Sequence, residues 1–257
     1  ARDIGFDLPL CTTTGWGGAA TGGLLPVMGG YCEAPWDQRI TEIEPNTNYV
    51  FSHIRNDALI ASDHHVDDTV TFNQDDFPYL TAELGGGLQV TKHRRPIVSG
   101  NDVGAMSLTK LGSGVGLLGY YMYHGGSNPD SKLSTLQESR ATGYLNDLPE
   151  INYDFNAPIR QYGTISDNYR EIRLLAYFLQ DFGADLAVLP ADIDPDFVKP
   201  GDTHTLRVSV RHDDTHGYVF VNNYQRRLTM DDHKDVVLKG KTKGEPVCFP
   251  KPDIASG

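Results

Sequence analysis

The chain has 257 residues, with 22 Lys and Arg against 34 Asp and Glu, and a formal net charge of −12. This length can bury the core of one large domain or two modest ones. The acidic balance argues against a nucleic-acid partner, because phosphate recognition needs a clustered basic surface, and no apolar stretch is long enough to span a membrane. The three cysteines, Cys11, Cys32 and Cys248, have no C-x-x-C spacing and are interpreted as free thiols.

Four apolar runs, each opening into glycine, aromatic and polar residues, dominate the first half of the chain. The runs are DLPLCTTTGWGG (7–18), LLPVMGGYCEAPWDQ (24–38), FPYLTAELGGG (77–87) and VGLLGYYMYHGGSNP (115–129). Buried strands with functional loops at their carboxyl ends are typical of a parallel sheet in an α/β protein. The stretch 100–114 predicts a short helix before the fourth run.

The clearest helix is predicted over SDNYREIRLLAYFLQDFG (166–183). Ser166 or Asp167 is expected to cap its start, and Gly183 is expected to end it. Its apolar residues recur at helical spacing and form one face. These residues are Ile172, Leu175, Leu179 and Phe182.

A linker rich in proline and aspartate is predicted over 191–202, and the hydrophobic period changes to two after it. HTLRVSVRHDDTHGYVFVNNYQRRL (204–228) alternates around a DDTHG turn, and KDVVLKGKTKGEPVCFP (234–250) predicts a second hairpin. The predicted division is therefore an α/β portion over 1–190, the linker, and the start of an antiparallel β-sandwich over 203–257.

Two motifs suggest other chemistries but lack the context that those chemistries need. GVGLLG (114–119) matches a dinucleotide fingerprint, yet it opens a strand and does not lead from a strand into a helix. SDHHVDD (62–68) contains metal-ligating residue types without helical spacing, which favours a solvated loop. No nucleophilic serine with an oxyanion loop is present to support a serine hydrolase.

Glu83 stands near the end of the third apolar run, and Leu84 separates it from three glycines. A carboxylate at a strand's carboxyl end, surrounded by aromatic residues from neighbouring strand ends, is typical of a sugar site, because flat rings stack on pyranose faces. The aromatic candidates are Trp16, Trp36, Tyr121 and Tyr123. The glycines are expected to leave room for the sugar ring, and Glu33 and Asp37 are the runner-up carboxylates. A turn carboxylate and core tryptophans are the alternatives.

Five segments of the sequence resemble parts of a known family. YYMYHGGSNP (120–129) resembles the H-G-G-T-N strand-eight motif of glycoside hydrolase family 35, the β-galactosidases. INYDFNAPIRQYG (151–163) resembles that family's S-Y-D-Y-D-A-P-L-x-E-x-G segment. TGWGGA and LPVMGGYCEAPWDQ resemble the fifth and sixth strand ends of its large bacterial members, and YVFVNNYQRR resembles the F-V-N-G of the following sandwich. The resemblance implies the C-terminal half of a (β/α)8 TIM barrel, followed by a β-sandwich segment.

The resemblance also implies roles for individual residues. Glu83 falls where the strand-seven nucleophile of the family lies, while Tyr153 and His124 would line the substrate site and Asn128 would structure the loop. Trp16, Trp36 and Tyr121 complete the expected substrate-binding set. This chemistry uses two carboxylates and requires neither a metal nor an organic cofactor.

Two departures from the family pattern affect the expected specificity. Phe155 replaces the second tyrosine of Y-D-Y, so one hydroxyl is missing. PDSKLSTLQESR replaces the aromatic-rich continuation of the strand-eight motif, which leaves the aglycone preference open.

The family's acid/base glutamate belongs to an Asn-Glu motif, and no Asn-Glu dipeptide occurs in this sequence. We therefore expect the N-terminal half of the barrel to be supplied from upstream of Ala1 or by a separate polypeptide, and we expect this chain to be inactive when assayed alone. The expected substrate is a β-galactoside oligosaccharide or polysaccharide, and the family resemblance suggests a secreted or periplasmic enzyme. The alternatives are a non-catalytic carbohydrate-binding protein and an inactive fragment.

Overall fold

Three parallel strands form the first sheet, and a fourth segment extends it. The computed structural model describes residues 2–13, 23–61, 70, 72–133, 136–194, 196 and 198–250. The order of the strands in the sheet is β1 (Cys11–Thr13), β2 (Leu25–Gly30) and β3 (Thr81–Leu84). Single parallel bridges join Leu80 to Leu117 and Leu84 to Tyr120. The parallel pairing is therefore confirmed and agrees with the predicted α/β class, and the strands described form an open sheet.

The two glycines at the end of β2 stand where there is no room for a side chain. A Cβ atom added to Gly29 would lie 2.5 Å from the carbonyl oxygen of Glu83 on the neighbouring strand, and one added to Gly30 would lie 2.8 Å from Oδ1 of Asn48. Any larger residue would separate the strands or displace the segment that covers them. The double glycine of the second run is thus a packing feature of this sheet.

The segment joining β2 to β3 carries a 3₁₀ turn (Thr47–Tyr49), the short helix α1 (Ala58–Ala61) and another 3₁₀ turn (Gln74–Asp76). Helix α2 (Gly100–Gly112) then leads to the fourth extended segment, as predicted. Ser99 begins α2 in a capping box, because its hydroxyl accepts from the Asp102 amide while the Asp102 carboxylate accepts from the Ser99 amide.

Helix α3 (Asp167–Leu186) packs against α2 and confirms the prediction of a helix over this segment. The prediction that Gly183 ends the helix was wrong, since the helix continues through this residue to Leu186. The side chain of Leu186 is buried, and its carbonyl accepts a hydrogen bond of 2.7 Å from Nη2 of Arg211. The packing of Leu186 and the hydrogen bond from Arg211 therefore extend the helix beyond Gly183.

The last part of the chain forms an antiparallel sheet and a separate hairpin. The sheet contains β6 (Ala191–Asp192), β7 (Arg207–His212) and β8 (Gly217–Asn222), and the hairpin contains β9 (Leu238–Thr242) and β10 (Glu245–Phe249). A short ladder between β4 (Gly126–Ser127) and β5 (Asn152–Tyr153) joins YYMYHGGSNP (120–129) to INYDFNAPIRQYG (151–163). Both predicted hairpins are confirmed, and β6 lies inside the predicted linker. Further 3₁₀ turns span Arg2–Ile4 and Arg140–Thr142.

The face of β7 that packs against the helices is polar. Arg207, Ser209 and Arg211 are almost fully buried on this face. The Arg211 guanidinium donates to the carbonyls of Leu111 and Leu186, at the ends of α2 and α3. Burial lowers the pKa of Arg211, and its guanidinium adds a second donor to carbonyls that already accept from the Gly114 and Leu189 amides. The antiparallel sheet is therefore joined to the α/β part by buried arginines.

His216 makes a second link between the antiparallel sheet and the α/β part. The contribution of this link to stability is expected to depend on pH. Its Nε2 lies 2.7 Å from Oδ2 of Asp185 on α3. The hydrogen bond to Asp185, together with the charges of Asp185 and Asp213, raises the pKa of His216 above its ordinary value of 6.5. The resulting stabilisation is fully present below the unfolded-state pKa and is lost as pH rises through the raised folded-state pKa.

We expect the urea midpoint of His216→Gln to fall below that of the wild type at about pH 5 and to match it at about pH 9. The exposed histidine His53, replaced by Gln, provides the matched control and should show no such trend. A difference for His216→Gln that stays constant across this range would contradict the link.

Candidate active site

Glu83 lies near the carboxyl end of β3, opposite Gly29 in the ladder with β2. Its side chain is partly buried between the strand ends. Oε1 accepts a hydrogen bond of 2.9 Å from the hydroxyl of Tyr31, which follows the last residue of β2. The parallel pairing of the two strands brings both side chains to the same edge of the sheet. The carboxylate is thus oriented by a neighbouring phenol.

Tyr31 is itself held through both its backbone amide and its backbone carbonyl. Its amide donates to Oδ2 of Asp57 at 3.2 Å, and its carbonyl accepts from Nδ2 of Asn46 at 2.8 Å and of Asn48 at 3.1 Å. These three polar side chains belong to the segment between β2 and β3 and are all buried. Tyr31 was not among the predicted site residues, although its position directly after the double glycine of β2 was a signal for it.

The environment keeps the Tyr31 hydroxyl protonated. Burial raises the pKa of Tyr31 well above its ordinary value of 10.0, and the charge of Glu83 and the hydrogen bond to it raise it further. A phenol with a raised pKa remains a donor throughout the neutral range. Tyr31 therefore offers Glu83 a permanent hydrogen bond.

Tyr121 and Tyr153 form a pair of tyrosines beside Tyr31. The proximity of both also raises the pKa of Tyr31. Their hydroxyl oxygens lie 2.8 Å apart, and both rings contact Phe155, with centroid distances of 5.8 Å and 4.6 Å. Burial, followed by the hydrogen bond to Tyr121, raises the pKa of Tyr153. The structure thus brings together predicted residues from the third run, the fourth run and β5.

The three glycines after Glu83 do not leave space for a substrate, so that prediction was wrong. A Cβ atom on Gly85 would lie 2.6 Å from Cδ1 of Tyr31, and one on Gly86 would lie 2.5 Å from the Met122 carbonyl oxygen. A Cβ atom on Gly87 would collide with the backbone that follows β5. The space beside the glycines is filled by the protein, and their function is close packing around the site.

Trp36 is positioned as a core residue beneath Tyr31. Only 3% of it is exposed, its Nε1 donates to the Leu59 carbonyl at 2.9 Å, and its ring meets that of Tyr31 edge-on at 5.0 Å. This burial fits the core alternative and supports the ring of the phenol that holds Glu83. Trp16 lies outside the described residues, as does the SDHHVDD stretch.

His124 and Asn128 lie in the loop at the end of the fourth run, on either side of β4. His124 is exposed, its Nδ1 contacts the Gly125 carbonyl, and no described hydrogen bond joins it to Glu83. Asn128 ties the loop to the segment before β5, since its amide donates to the Ile151 carbonyl and its side chain to that of Glu150. The arrangement agrees with a structuring function for Asn128.

Both runner-up carboxylates are held in ion pairs. Glu33 is buried, and its Oε2 accepts from Arg226 at 3.0 Å and from Arg227 at 2.8 Å. Asp37 is also buried and pairs with Arg39 through two hydrogen bonds. Each of these two carboxylates therefore accepts hydrogen bonds from an arginine side chain.

In the part of the chain that the structure describes, no group of three histidine, cysteine, aspartate or glutamate side chains is arranged to hold a metal ion. No helix of that part is both long and apolar enough to cross a membrane. The three cysteines are free, with Cys32 buried and the other two exposed. Neither a protein-family model nor a curated protein matches the chain.

Proposed function

We propose that the chain supplies the nucleophile-bearing half of a retaining β-galactosidase of the glycoside hydrolase family 35 type. The observation that carries the proposal is the hydrogen bond between Tyr31 and Oε1 of Glu83, at the carboxyl edge of a parallel sheet. The Tyr121–Tyr153 pair beside it gives further support, because phenols stack against sugar faces and bond to hydroxyl groups. The open sheet is compatible with half of a barrel completed by other strands.

In the proposed reaction, the Glu83 carboxylate attacks the anomeric carbon as the bond to the leaving oxygen breaks, and a covalent galactosyl ester forms. A glutamate from the missing barrel half protonates the leaving oxygen. The same glutamate then removes a proton from water, which attacks the ester and releases β-galactose and the free Glu83 carboxylate. Tyr31 orients Oε1 throughout, so less conformational freedom is lost on reaching the transition state. No metal or organic cofactor takes part.

The partners of the proposed enzyme follow from the same chemistry. The substrate is a β-galactoside oligosaccharide or polysaccharide, and the second polypeptide segment is the N-terminal half of the barrel with its acid/base glutamate. Export to the periplasm or the exterior would place the enzyme where polymeric galactosides occur.

Proton NMR of the complete protein acting on p-nitrophenyl β-D-galactopyranoside tests the proposal. Retention requires that β-galactose is the first anomer to appear and that it mutarotates later to the α anomer. The chain of 257 residues alone is expected to give no turnover. Initial formation of α-galactose would exclude a glycosyl-enzyme intermediate, and sugar binding without turnover by the complete protein would favour the carbohydrate-binding alternative.

Tyr31→Phe is expected to lower kcat/KM for this substrate about 10- to 100-fold, which corresponds to the roughly 1.5–3 kcal/mol of a hydrogen bond to a charged group. The ring still packs on Trp36, so thermal stability should change little. Tyr162→Phe is the matched control, because Tyr162 is 86% exposed. Equal activities of the two variants would show that the Tyr31 hydroxyl has no function in the reaction.

A further inference from the structure

A cavity of about 550 Å³ lies between α2 and the segment that joins β2 to β3, and Glu83 does not line it. Its walls are mainly aliphatic. The aliphatic residues include Ile40, Ile43, Pro45, Val50, Ile54 and Leu59. A concave, apolar space of this size with a few polar groups is the usual form of a small-molecule site. The polar groups decide which ligand fits it.

Lys110, near the end of α2, places a buried ammonium group at this cavity. The residue lines the cavity and is only 6% exposed. Among the described residues, its Nζ has neither a hydrogen-bond partner nor an ion-pair partner. Lysine is almost never buried to this extent without a partner, because removing a charge from water is costly. Lys110 therefore has three N–H donors to offer a ligand.

Nζ of Lys110 is accessible from the cavity. The described side-chain atoms that have neither accessible surface nor a hydrogen-bond partner belong to Glu33, Tyr49, Tyr79, Arg207 and His233. Lys110 is not one of these residues, so its unpartnered Nζ retains accessible surface. Gly30 makes room for the stem of the lysine, because a Cβ atom added to Gly30 would lie 3.2 Å from Cε of Lys110.

The buried carboxylates that line the cavity are matched by other donors. Asp57 accepts hydrogen bonds from two backbone amides and from Nδ2 of Asn48. Glu33 is held in ion pairs by two arginines. Neither carboxylate forms an ion pair with Lys110, so the charge of the ammonium group is not compensated at close range.

The remaining charged groups of the cavity indicate how much charge a ligand can carry. Arg94 is the second cation, and it donates to the carbonyls of Ala34 and Ile40 instead of pairing with a described carboxylate. Glu42 and Glu44 also line the cavity, but both are exposed, so water and salt screen their repulsion of an anion. Two unpaired cations and two screened carboxylates favour a ligand with a single negative charge.

We propose that this cavity binds a monocarboxylate with an apolar body. The carboxylate accepts hydrogen bonds from the ammonium group of Lys110, and such charge-assisted bonds are the strong ones. The apolar body lies against the aliphatic walls. The site is separate from Glu83, so it stands or falls independently of the proposed hydrolysis.

The test is a calorimetric titration of the complete protein with 4-phenylbutyrate. Lys110→Met keeps an apolar stem but removes the ammonium group, and it is expected to weaken binding about 10- to 100-fold. Lys92→Met is the matched control, because Lys92 is exposed, pairs with Asp147 and does not line the cavity. Its affinity should equal that of the wild type. Equal affinities of the two lysine variants would overturn the proposal.

Two further probes test the charge of the ligand. 4-Phenylbutanamide has the same apolar body without a charge, and it is expected to bind at least about 10-fold more weakly than the carboxylate. Benzylsuccinate is a dicarboxylate of similar size and should also bind more weakly. Binding of either probe as tight as that of 4-phenylbutyrate would show that a single negative charge is not what the cavity selects.

A second series keeps the test decisive if Lys110→Met folds poorly. Ile43→Trp at the edge of the cavity, where Ile43 is 38% exposed, should reduce binding of 4-phenylbutyrate while circular dichroism stays unchanged. Ile97→Trp is its control, because Ile97 is 86% exposed and does not line the cavity. Equal binding by the two tryptophan variants, or absence of saturable binding to the wild type, would contradict a site in this cavity.

Discussion

Replacing Glu83 by Gln in the complete enzyme is expected to lower kcat for a β-galactoside by at least about 10³-fold, on the scale seen when covalent catalysts are removed. The amide keeps the shape of the side chain and can still accept a hydrogen bond from Tyr31. It is a far weaker nucleophile, however, and it cannot form the galactosyl ester. Substrate binding, measured by calorimetry, should change much less than kcat.

Glu150→Gln is the matched control for this experiment, because Glu150 is exposed and offers only its backbone carbonyl to Asn128. Its kcat should equal that of the wild type. If Glu83→Gln also retained wild-type turnover, the nucleophile would be another carboxylate. Glu33 and Asp37 would then have to be released from their arginine partners to react.

Arg226→Met is expected to reduce the free energy of unfolding by roughly 3–5 kcal/mol, the usual cost of removing one partner from a buried charge pair. Arg226 reaches from the segment after β8 to Glu33 at 3.0 Å and to Asp102 at 2.6 Å. Only 9% of its side chain is exposed. Methionine fills a similar volume but leaves the Asp102 carboxylate without its cation, at the first turn of α2.

Urea unfolding monitored by circular dichroism measures this loss. Arg170→Met provides the control, because Arg170 pairs with Asp167 on the surface of α3 with side-chain exposures of 67% and 76%. Exposed pairs of this kind contribute at most about 1 kcal/mol. Equal losses of unfolding free energy for the two variants would mean that the buried ion pairs of Arg226 do not join the last segment of the chain to the α/β part.

Local patterns in the sequence predicted the main helices and hairpins of this fold, but not the short elements α1, β4, β5 and β6. Apolar runs followed by glycine predicted the parallel segments, and the helix predicted over 100–114 is α2 (Gly100–Gly112). The end of α3 could not be predicted from Gly183, because Arg211 supplies the cap from a strand that is distant in sequence. The alternation of polar and apolar residues predicted strand β7. It did not predict which face of this strand is buried.

The candidate site was only partly predictable for a similar reason. Glu83, Tyr121 and Tyr153 were identified from motifs, whereas Tyr31 becomes significant only when the register places it beside Glu83. The glycines after Glu83 suggested an open space, but their neighbours come from segments far along the chain. Residue types indicate which chemistry is available, and tertiary contacts decide which groups meet.

The most direct test of the central claim is to trap the covalent intermediate. The complete protein is incubated with 2,4-dinitrophenyl 2-deoxy-2-fluoro-β-D-galactopyranoside, whose activated leaving group needs little acid assistance and whose fluorine slows hydrolysis of the ester. Mass spectrometry of the peptides should then find one fluorosugar, attached to Glu83. A label on Glu33, on Asp37 or on any other carboxylate would contradict the assignment of Glu83 as the nucleophile.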